Sequence, residues 1–148
     1  MTDQEAFDKV VNGLIKQEWN LSSRKKSDRI YDRNNRFCAL VGENGCKSPL
    51  GHLIPEEQYS DSLENIKDIV IIIEKFSDLL CPNLDLLYDL EVFHDLVLQM
   101  FILVKCGSFT GGANKHDYPL TEGSVSKSAL ARLKIIAEKY ELEWNHGN

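Results

Sequence analysis

The sequence has little of what several classes of protein require. It holds only four cysteines and four prolines in 148 residues. Its apolar runs, such as residues 69–73, are far shorter than the ~20 residues that cross a bilayer. The polar, acidic start lacks the basic stretch and the apolar run of a secretory signal. These absences predict a cytoplasmic protein without membrane contact, whose cysteines are thiols and not a disulfide framework.

Basic residues are also in the minority, with 17 Lys and Arg against 23 Asp and Glu and a net charge of −6. This deficit argues against binding of duplex DNA through its phosphates. The charges are unevenly spread, because residues 22–36 are basic and lack apolar periodicity, whereas residues 55–95 are strongly acidic. We interpret residues 22–36 as a polar loop or arm. Nucleic acid is disfavoured overall, and a single strand would have only the stretch from Arg24 to Arg36 to bind; another protein is the favoured partner.

The hydrophobic pattern predicts one mainly α domain over residues 1–148, with about four main helices and one small β-hairpin. Apolar residues repeat at intervals of three and four within residues 2–15, 61–80, 84–104 and 125–144. Thr2 and Glu5 match a capping box at the first helix. The Asn44-Gly45 pair predicts a tight turn, and therefore a hairpin over residues 37–47. Pro55 predicts the start of a short helix.

Thiol and imidazole groups cluster just after this turn. Cys38, Cys46 and His52 would supply ligands for a zinc ion, since zinc binds both thiolate and imidazole. Residues 39–45 separate the two cysteines, which is a wider spacing than that of a zinc knuckle. Buried thiols also pack as small apolar side chains. We therefore expect no metal or cofactor, with zinc as the alternative.

Cys46 is also the candidate nucleophile of a cysteine-dependent enzyme. A nearby cation, Lys47, would favour its thiolate form. Either His52 or His94 would act as the base. Asp95 or Glu64 would then orient that imidazole. The sequence leaves open whether these groups meet.

The His94-Asp95 pair permits a third kind of chemistry. Metal-dependent phosphohydrolases of the His-Asp type use a histidine, an adjacent His-Asp pair and a later aspartate on a helical fold. His52, His94-Asp95 and Asp117 occur in this order. However, a lone histidine on an apolar helix face is more commonly a hydrogen-bonded core residue. Both interpretations stay open at this point.

The segment from Cys38 to Glu64 carries a resemblance to known proteins. It contains Cys38, a glycine-bearing turn, Cys46, the run Gly51-His52-Leu53-Ile54-Pro55, and then Tyr59 and Glu64. This segment, the opening helix and the later His94-Asp95 resemble a family of small phage and bacterial proteins of unassigned function. The resemblance implies a shared fold and a shared site, without an activity.

The residues themselves favour a small binding or regulatory protein over an enzyme. A tight turn, two glycines and a proline restrict the backbone of a loop more than generic packing requires. Shaped loops on a helical scaffold commonly carry function. We therefore expect the hairpin and residues 51–59 to form the contact surface. The sequence leaves the oligomeric state open. The candidate binding residues are Gly51, His52, Pro55, Tyr59 and Glu64.

Overall fold

The computed structural model describes residues 1–25, 36–66, 68–98, 100 and 125–147. Helix α1, Asp3–Lys16, begins as the sequence predicts. The Thr2 hydroxyl accepts a hydrogen bond from the Glu5 N–H at 3.1 Å, and the Glu5 carboxylate accepts one from the Thr2 N–H at 2.7 Å. One face of α1 is fully buried and consists of Ala6, Phe7, Val10, Val11 and Leu14.

The described residues are mainly helical, which confirms the predicted fold class. After α1 come α2 (Pro49–Leu53), two 3₁₀ helices (Glu56–Gln58 and Asp61–Asn65), α3 (Ile69–Lys75), α4 (Leu84–Val92) and α5 (Val125–Lys139). A π-helical turn, Phe93–Leu98, follows α4 directly. The helix predicted over residues 61–80 is divided, because the Asp68 carboxylate accepts from the Val70 N–H at 3.0 Å and caps a new helix.

The predicted β-hairpin over residues 37–47 is not supported. A short strand β1 (Ser23–Lys25) pairs antiparallel with β2 (Arg36–Cys38), so the partner of β2 lies in the basic stretch. Residues 39–47 contain a single bridge, between Val41 and Lys47, around a turn in which the Gly42 N–H donates to the Cys46 carbonyl at 2.8 Å. The strand ends early because the Leu40 N–H donates to the Glu64 carboxylate instead, at 2.8 Å.

Helix α4 lies at the centre of the core, as its apolar pattern predicts, and buries Leu86, Leu87 and Leu90. It packs against α2, α3 and α5, while α1 packs against α2 and α5. After α5, residues 141–147 turn back onto α1, where Gln4 exchanges two hydrogen bonds with the backbone of Glu143. Residues 101–104 of the helix predicted over residues 84–104, and residues 26–35 of the predicted arm, lie outside the described residues. Over the described part, no helix combines the length and apolarity needed to span a bilayer.

Candidate functional site

The segment of residues 40–54, which we call the α2 segment, is anchored from below by a buried carboxylate. Glu91 on α4 is only 4% exposed. Its Oε1 accepts a hydrogen bond from the Ser48 hydroxyl at 2.8 Å and another from the Leu50 N–H at 2.6 Å. Ser48 in turn caps α2 by accepting from the Gly51 N–H at 3.2 Å. A charged acceptor is well matched to the unpaired N–H groups at a helix start.

The side-chain amide of Gln17, the residue that follows α1, holds the same segment from a second direction. Gln17 Oε1 accepts from the Lys47 N–H at 3.0 Å, and Gln17 Nε2 donates to the Lys47 carbonyl at 2.9 Å. The amide therefore pairs with Lys47 as a neighbouring strand would. Gln17 Oε1 also lies 3.0 Å from His52 Nε2. Glu64 supplies a third anchor, through the hydrogen bond from the Leu40 N–H described above.

Two glycines lie in close contact with neighbouring groups, one within the α2 segment and one on α1. A Cβ at Gly51 would overlap the carbonyl oxygen of Leu40, so a side chain there has no room. A Cβ at Gly13 would lie 2.5 Å from the His52 ring, which packs directly over α1. Glycine is the residue that permits such contact between backbone and neighbour. The predicted binding residues Gly51 and His52 thus lie in a tightly fitted part of the molecule.

His52 is neutral at physiological pH. Burial lowers the pKa of its imidazole to about 4, and the positive charge of Lys47 adds to this effect. With Nε2 protonated, the ring donates its hydrogen bond to Gln17 Oε1. The group therefore serves as a hydrogen-bonded packing element between α1 and α2.

We expect this histidine to make the fold sensitive to acid. The pKa of His52 in the folded chain lies below its usual value of 6.5. Between pH 6.5 and 4, the imidazole is therefore protonated in the unfolded chain and neutral in the folded chain. The contribution of His52 to the free energy of unfolding should fall by roughly 1–2 kcal/mol over this range, an amount reduced for the ring's partial exposure. Urea unfolding at pH 7.5 and 4.5 measures it.

The same comparison on His52→Gln isolates the contribution of the imidazole. The loss of packing affects the variant equally at both pH values, so only the difference between the two pH values is informative. Relative to the variant, the wild type should lose roughly 1–2 kcal/mol of stability between pH 7.5 and 4.5. An identical pH dependence in both proteins would contradict the assignment.

A second cluster lies at the end of α4, beside Glu91. His94 is fully buried, with Nδ1 at 2.7 Å from Asp95 Oδ1 and Nε2 accepting from the Ser22 N–H at 3.4 Å. One ligand-capable atom from each of Glu91, His94 and Asp95 lies within 4.8 Å of the other two. Burial and, to a smaller extent, the neighbouring Asp95 charge raise the pKa of the Glu91 carboxyl to about 7.

The structure brings only some of the candidate residues together. His94 and Asp95 meet as the sequence suggests, but His52 is bound to Gln17. Cys46 is half-buried at the turn, and among the described residues its thiol is hydrogen-bonded to neither imidazole. The metal-capable group of the described residues contains neither Cys46 nor His52. The side chain of Cys38 and all of Asp117 lie outside the described part.

Two residues that hold the α2 segment, Gln17 and Glu91, are not among the site residues that the sequence predicts. Glu91 carries a detectable signal, since it is an acid on the buried face of an apolar helix, four residues after Leu87 and three before His94. Acids are rarely buried unless they are paired or hydrogen-bonded. Gln17 carries no such signal, because a glutamine at the end of an amphipathic helix is ordinary.

The remaining candidates lie on the surface that follows α2. Pro55 precedes the 3₁₀ helix Glu56–Gln58 and occupies its N-cap position. Tyr59 is half-buried, with its hydroxyl 3.5 Å from Asp61 Oδ1. Glu56, Glu57 and Asp61 are exposed, and Lys47 lies 3.6 Å from the Glu56 carboxylate. Around Tyr59 the surface is therefore acidic.

No family model, curated protein or solved structure matches this chain. The geometry of the α2 segment and of the cluster beneath it is accordingly the basis for a functional proposal.

Proposed function

We propose that the protein is a small intracellular binding or regulatory protein, phage-related by its resemblance, which recognises a basic segment of another protein. The contact surface is formed by the residues of the α2 segment that are not buried, among them the exposed turn of residues 43–45, together with residues 55–62. The observation that carries this proposal is the number of independent anchors beneath the α2 segment. Gln17 at the C-terminal end of α1, Glu64 in the 3₁₀ helix Asp61–Asn65 and Glu91 on α4 all bind its backbone.

Such anchoring favours binding because it lowers the entropic cost of association. A loop that is already fixed loses little conformational freedom when a partner docks. The anchors include a buried carboxylate, Glu91, whose burial is itself unfavourable. A fold that needed only to close its core would be served by apolar side chains at this position. The fixed shape of the α2 segment is thus the feature that favours a role in binding.

The charge of the surface indicates the chemistry of the partner. Glu56 and Glu57 are exposed beside Tyr59, and Lys47 lies 3.6 Å from the Glu56 carboxylate. A negative surface attracts a Lys- or Arg-rich segment and steers its approach. Tyrosine is enriched in the core of protein interfaces, where its ring packs and its hydroxyl stays hydrated. A basic protein segment therefore fits this surface better than nucleic acid does.

The cysteine-dependent enzyme receives less support. A nucleophilic thiol needs a base within hydrogen-bond reach, and among the described residues no imidazole is hydrogen-bonded to Cys46. Nε2 of His52 is engaged by Gln17, and Nε2 of His94 is engaged by Ser22. If Cys46 has no catalytic part, Cys46→Ser should leave the biological effect of the protein intact. Loss of that effect with the fold retained would favour the enzyme.

Site-specific photocrosslinking tests the binding proposal. A photoreactive phenylalanine analogue replaces Tyr59 in one variant and Tyr88 in a control; Tyr88 is 48% exposed on α4. In cells of the natural host, we expect a discrete protein adduct from position 59 alone. Mass spectrometry should place the crosslink on a Lys- or Arg-rich peptide. The double substitution Glu56→Lys and Glu57→Lys should abolish the adduct.

Three results would contradict the proposal. Equal adducts at positions 59 and 88 would show nonspecific capture. A crosslink to an acidic peptide or to nucleic acid would overturn the assigned chemistry. An adduct that survives the charge reversal would show that the acidic surface has no part in recognition.

A further inference from the structure

Two carboxylates and one imidazole converge where α4 passes into the π-helical turn. We propose that Glu91, His94 and Asp95 bind one divalent transition cation of the zinc class. This site lies beneath the α2 segment and shares Glu91 with the anchors of that segment. Zn²⁺ binding and crosslinking at position 59 are separate measurements, so failure of one proposal can be told from failure of the other.

The helix itself creates the convergence. Residues three and four positions apart share one helix face, and Glu91, His94 and Asp95 follow this spacing. A glutamate followed three residues later by a histidine is the arrangement with which helical bundles direct ligands inward. Here the π-helical turn Phe93–Leu98 begins between the two. Such turns interrupt an α-helix locally and occur frequently at functional sites.

The charges of the cluster also favour a cation. Glu91 is almost fully buried, and a ligand-capable atom of Glu91 lies within 4.8 Å of one from Asp95. Two like charges so close together, one of them away from water, repel strongly. Among the described residues, His94 is the only basic group that forms an ion pair with either carboxylate. A divalent cation would neutralise both acids at once.

The donor set selects the class of cation. One nitrogen and two carboxylate oxygens suit Zn²⁺, Co²⁺, Mn²⁺ and Fe²⁺, whereas Ca²⁺ and Mg²⁺ prefer oxygen ligands alone. Three protein ligands leave at least one coordination position for water or another molecule. The Asp95 side chain is 38% exposed, so this side of the cluster is open to solvent. The site would thus be an open centre.

Cation binding requires a change in the protonation of His94. Because Nε2 accepts from the Ser22 N–H, a neutral ring carries its proton on Nδ1 and donates it to Asp95. A cation bound at Nδ1 displaces that proton, which moves to Nε2. The protonated Nε2 can no longer accept from the Ser22 N–H, so this 3.4 Å hydrogen bond is lost. The tautomer of His94 therefore reports binding directly.

The experiment uses the full chain after treatment with a chelator. Titration with Co²⁺, followed by visible absorption, should saturate at one ion per chain, and added Zn²⁺ should displace it. In a ¹⁵N-labelled sample, long-range ¹H–¹⁵N spectra should show the His94 proton moving from Nδ1 to Nε2 on addition of Zn²⁺. A thiolate-to-cobalt charge-transfer band would instead reveal a cysteine site and overturn the proposal.

Three substitutions complete the test. Asp95→Asn should weaken Zn²⁺ binding at least ~10- to 100-fold, the range found even for residues that only support metal ligands. Glu91→Gln, which keeps an acceptor for Ser48 and Leu50, should have a similar effect. The control is His146→Gln, since His146 Nε2 lies 2.7 Å from Asp8 Oδ1 in a comparable His-Asp pair elsewhere. Its affinity should equal that of the wild type.

Folding does not obscure the outcome, because the Asp95 side chain is 38% exposed and Asp95→Asn keeps a side-chain oxygen that can accept from His94. Absence of Zn²⁺ binding by the wild-type protein would overturn the proposal. So would an affinity that Asp95→Asn and Glu91→Gln leave unaltered, or one that His146→Gln reduces as much as they do.

Discussion

Replacing Glu91 with alanine should lower the free energy of unfolding by about 2–4 kcal/mol. The substitution leaves the Ser48 hydroxyl and the Leu50 N–H buried without their acceptor. An unsatisfied buried donor costs roughly 1–3 kcal/mol, more where a charged partner is lost. The truncated side chain also leaves a cavity beside α2, which adds to the loss. Urea denaturation followed by the fluorescence of Trp19 and Trp144 gives the value.

Glu91→Gln provides the matched comparison for this effect. Its amide oxygen can accept the same two hydrogen bonds, and it places no ionised group in the core. We expect its stability to lie within about 1 kcal/mol of the wild type, since amide and carboxyl are similar in volume. Equal losses in Glu91→Ala and Glu91→Gln would mean that the charge, and not the acceptor, holds α2 in place.

The first helix and the central helix were predictable because their signals are local. The capping box of Thr2 and Glu5 lies within four residues, and the apolar face of α1 repeats over three turns. The buried apolar character of α4 is equally local. Amphipathic periodicity of this kind is the strongest structural signal in a single sequence. The core therefore follows from the sequence with few assumptions.

The predicted hairpin failed because the competing contact is distant in sequence. The Asn44-Gly45 turn forms, but the Leu40 N–H donates to Glu64, 24 residues away. A nearby strand was the natural partner to expect for residues 37–41. The carboxylate of Glu64 offers a stronger acceptor than a backbone carbonyl. Nothing in the pattern of residues 37–47 indicates that acceptor.

The anchors of the α2 segment were missed for the same reason. Gln17 meets Lys47 across 30 residues, and Glu91 meets Leu50 across 41. The segment itself has only the five helical residues Pro49–Leu53, too few for a periodic signal. Its glycine and proline indicate a fixed shape, but the residues that fix it come from elsewhere. The sequence thus locates a candidate surface more readily than the distant residues that hold it in place.

Gly51→Ala should have the second large effect on stability, at about 3 kcal/mol or more. A Cβ at this position overlaps the carbonyl oxygen of Leu40 and lies 3.2 Å from the Cβ of Lys47. Neither the carbonyl nor α2 can move freely, because the Leu40 oxygen accepts from the Ser48 N–H at 3.0 Å. Forced contacts in a packed region typically cost roughly 1–3 kcal/mol, and more when backbone is involved. Urea denaturation measures the loss.

Gly45→Ala is the control for backbone conformation alone. Gly45 has a φ of +79°, and a Cβ added there would meet nothing within 4 Å. Its substitution should cost only about 1 kcal/mol, from the unfavourable backbone angle. A loss in Gly51→Ala no larger than that in Gly45→Ala would contradict the close fit of α2 against Leu40. If the fixed shape of the α2 segment serves recognition, Gly51→Ala should also reduce crosslinking at position 59, measured at equal concentrations of folded protein. Gly45→Ala should reduce it less, since it leaves the contact between α2 and Leu40 intact.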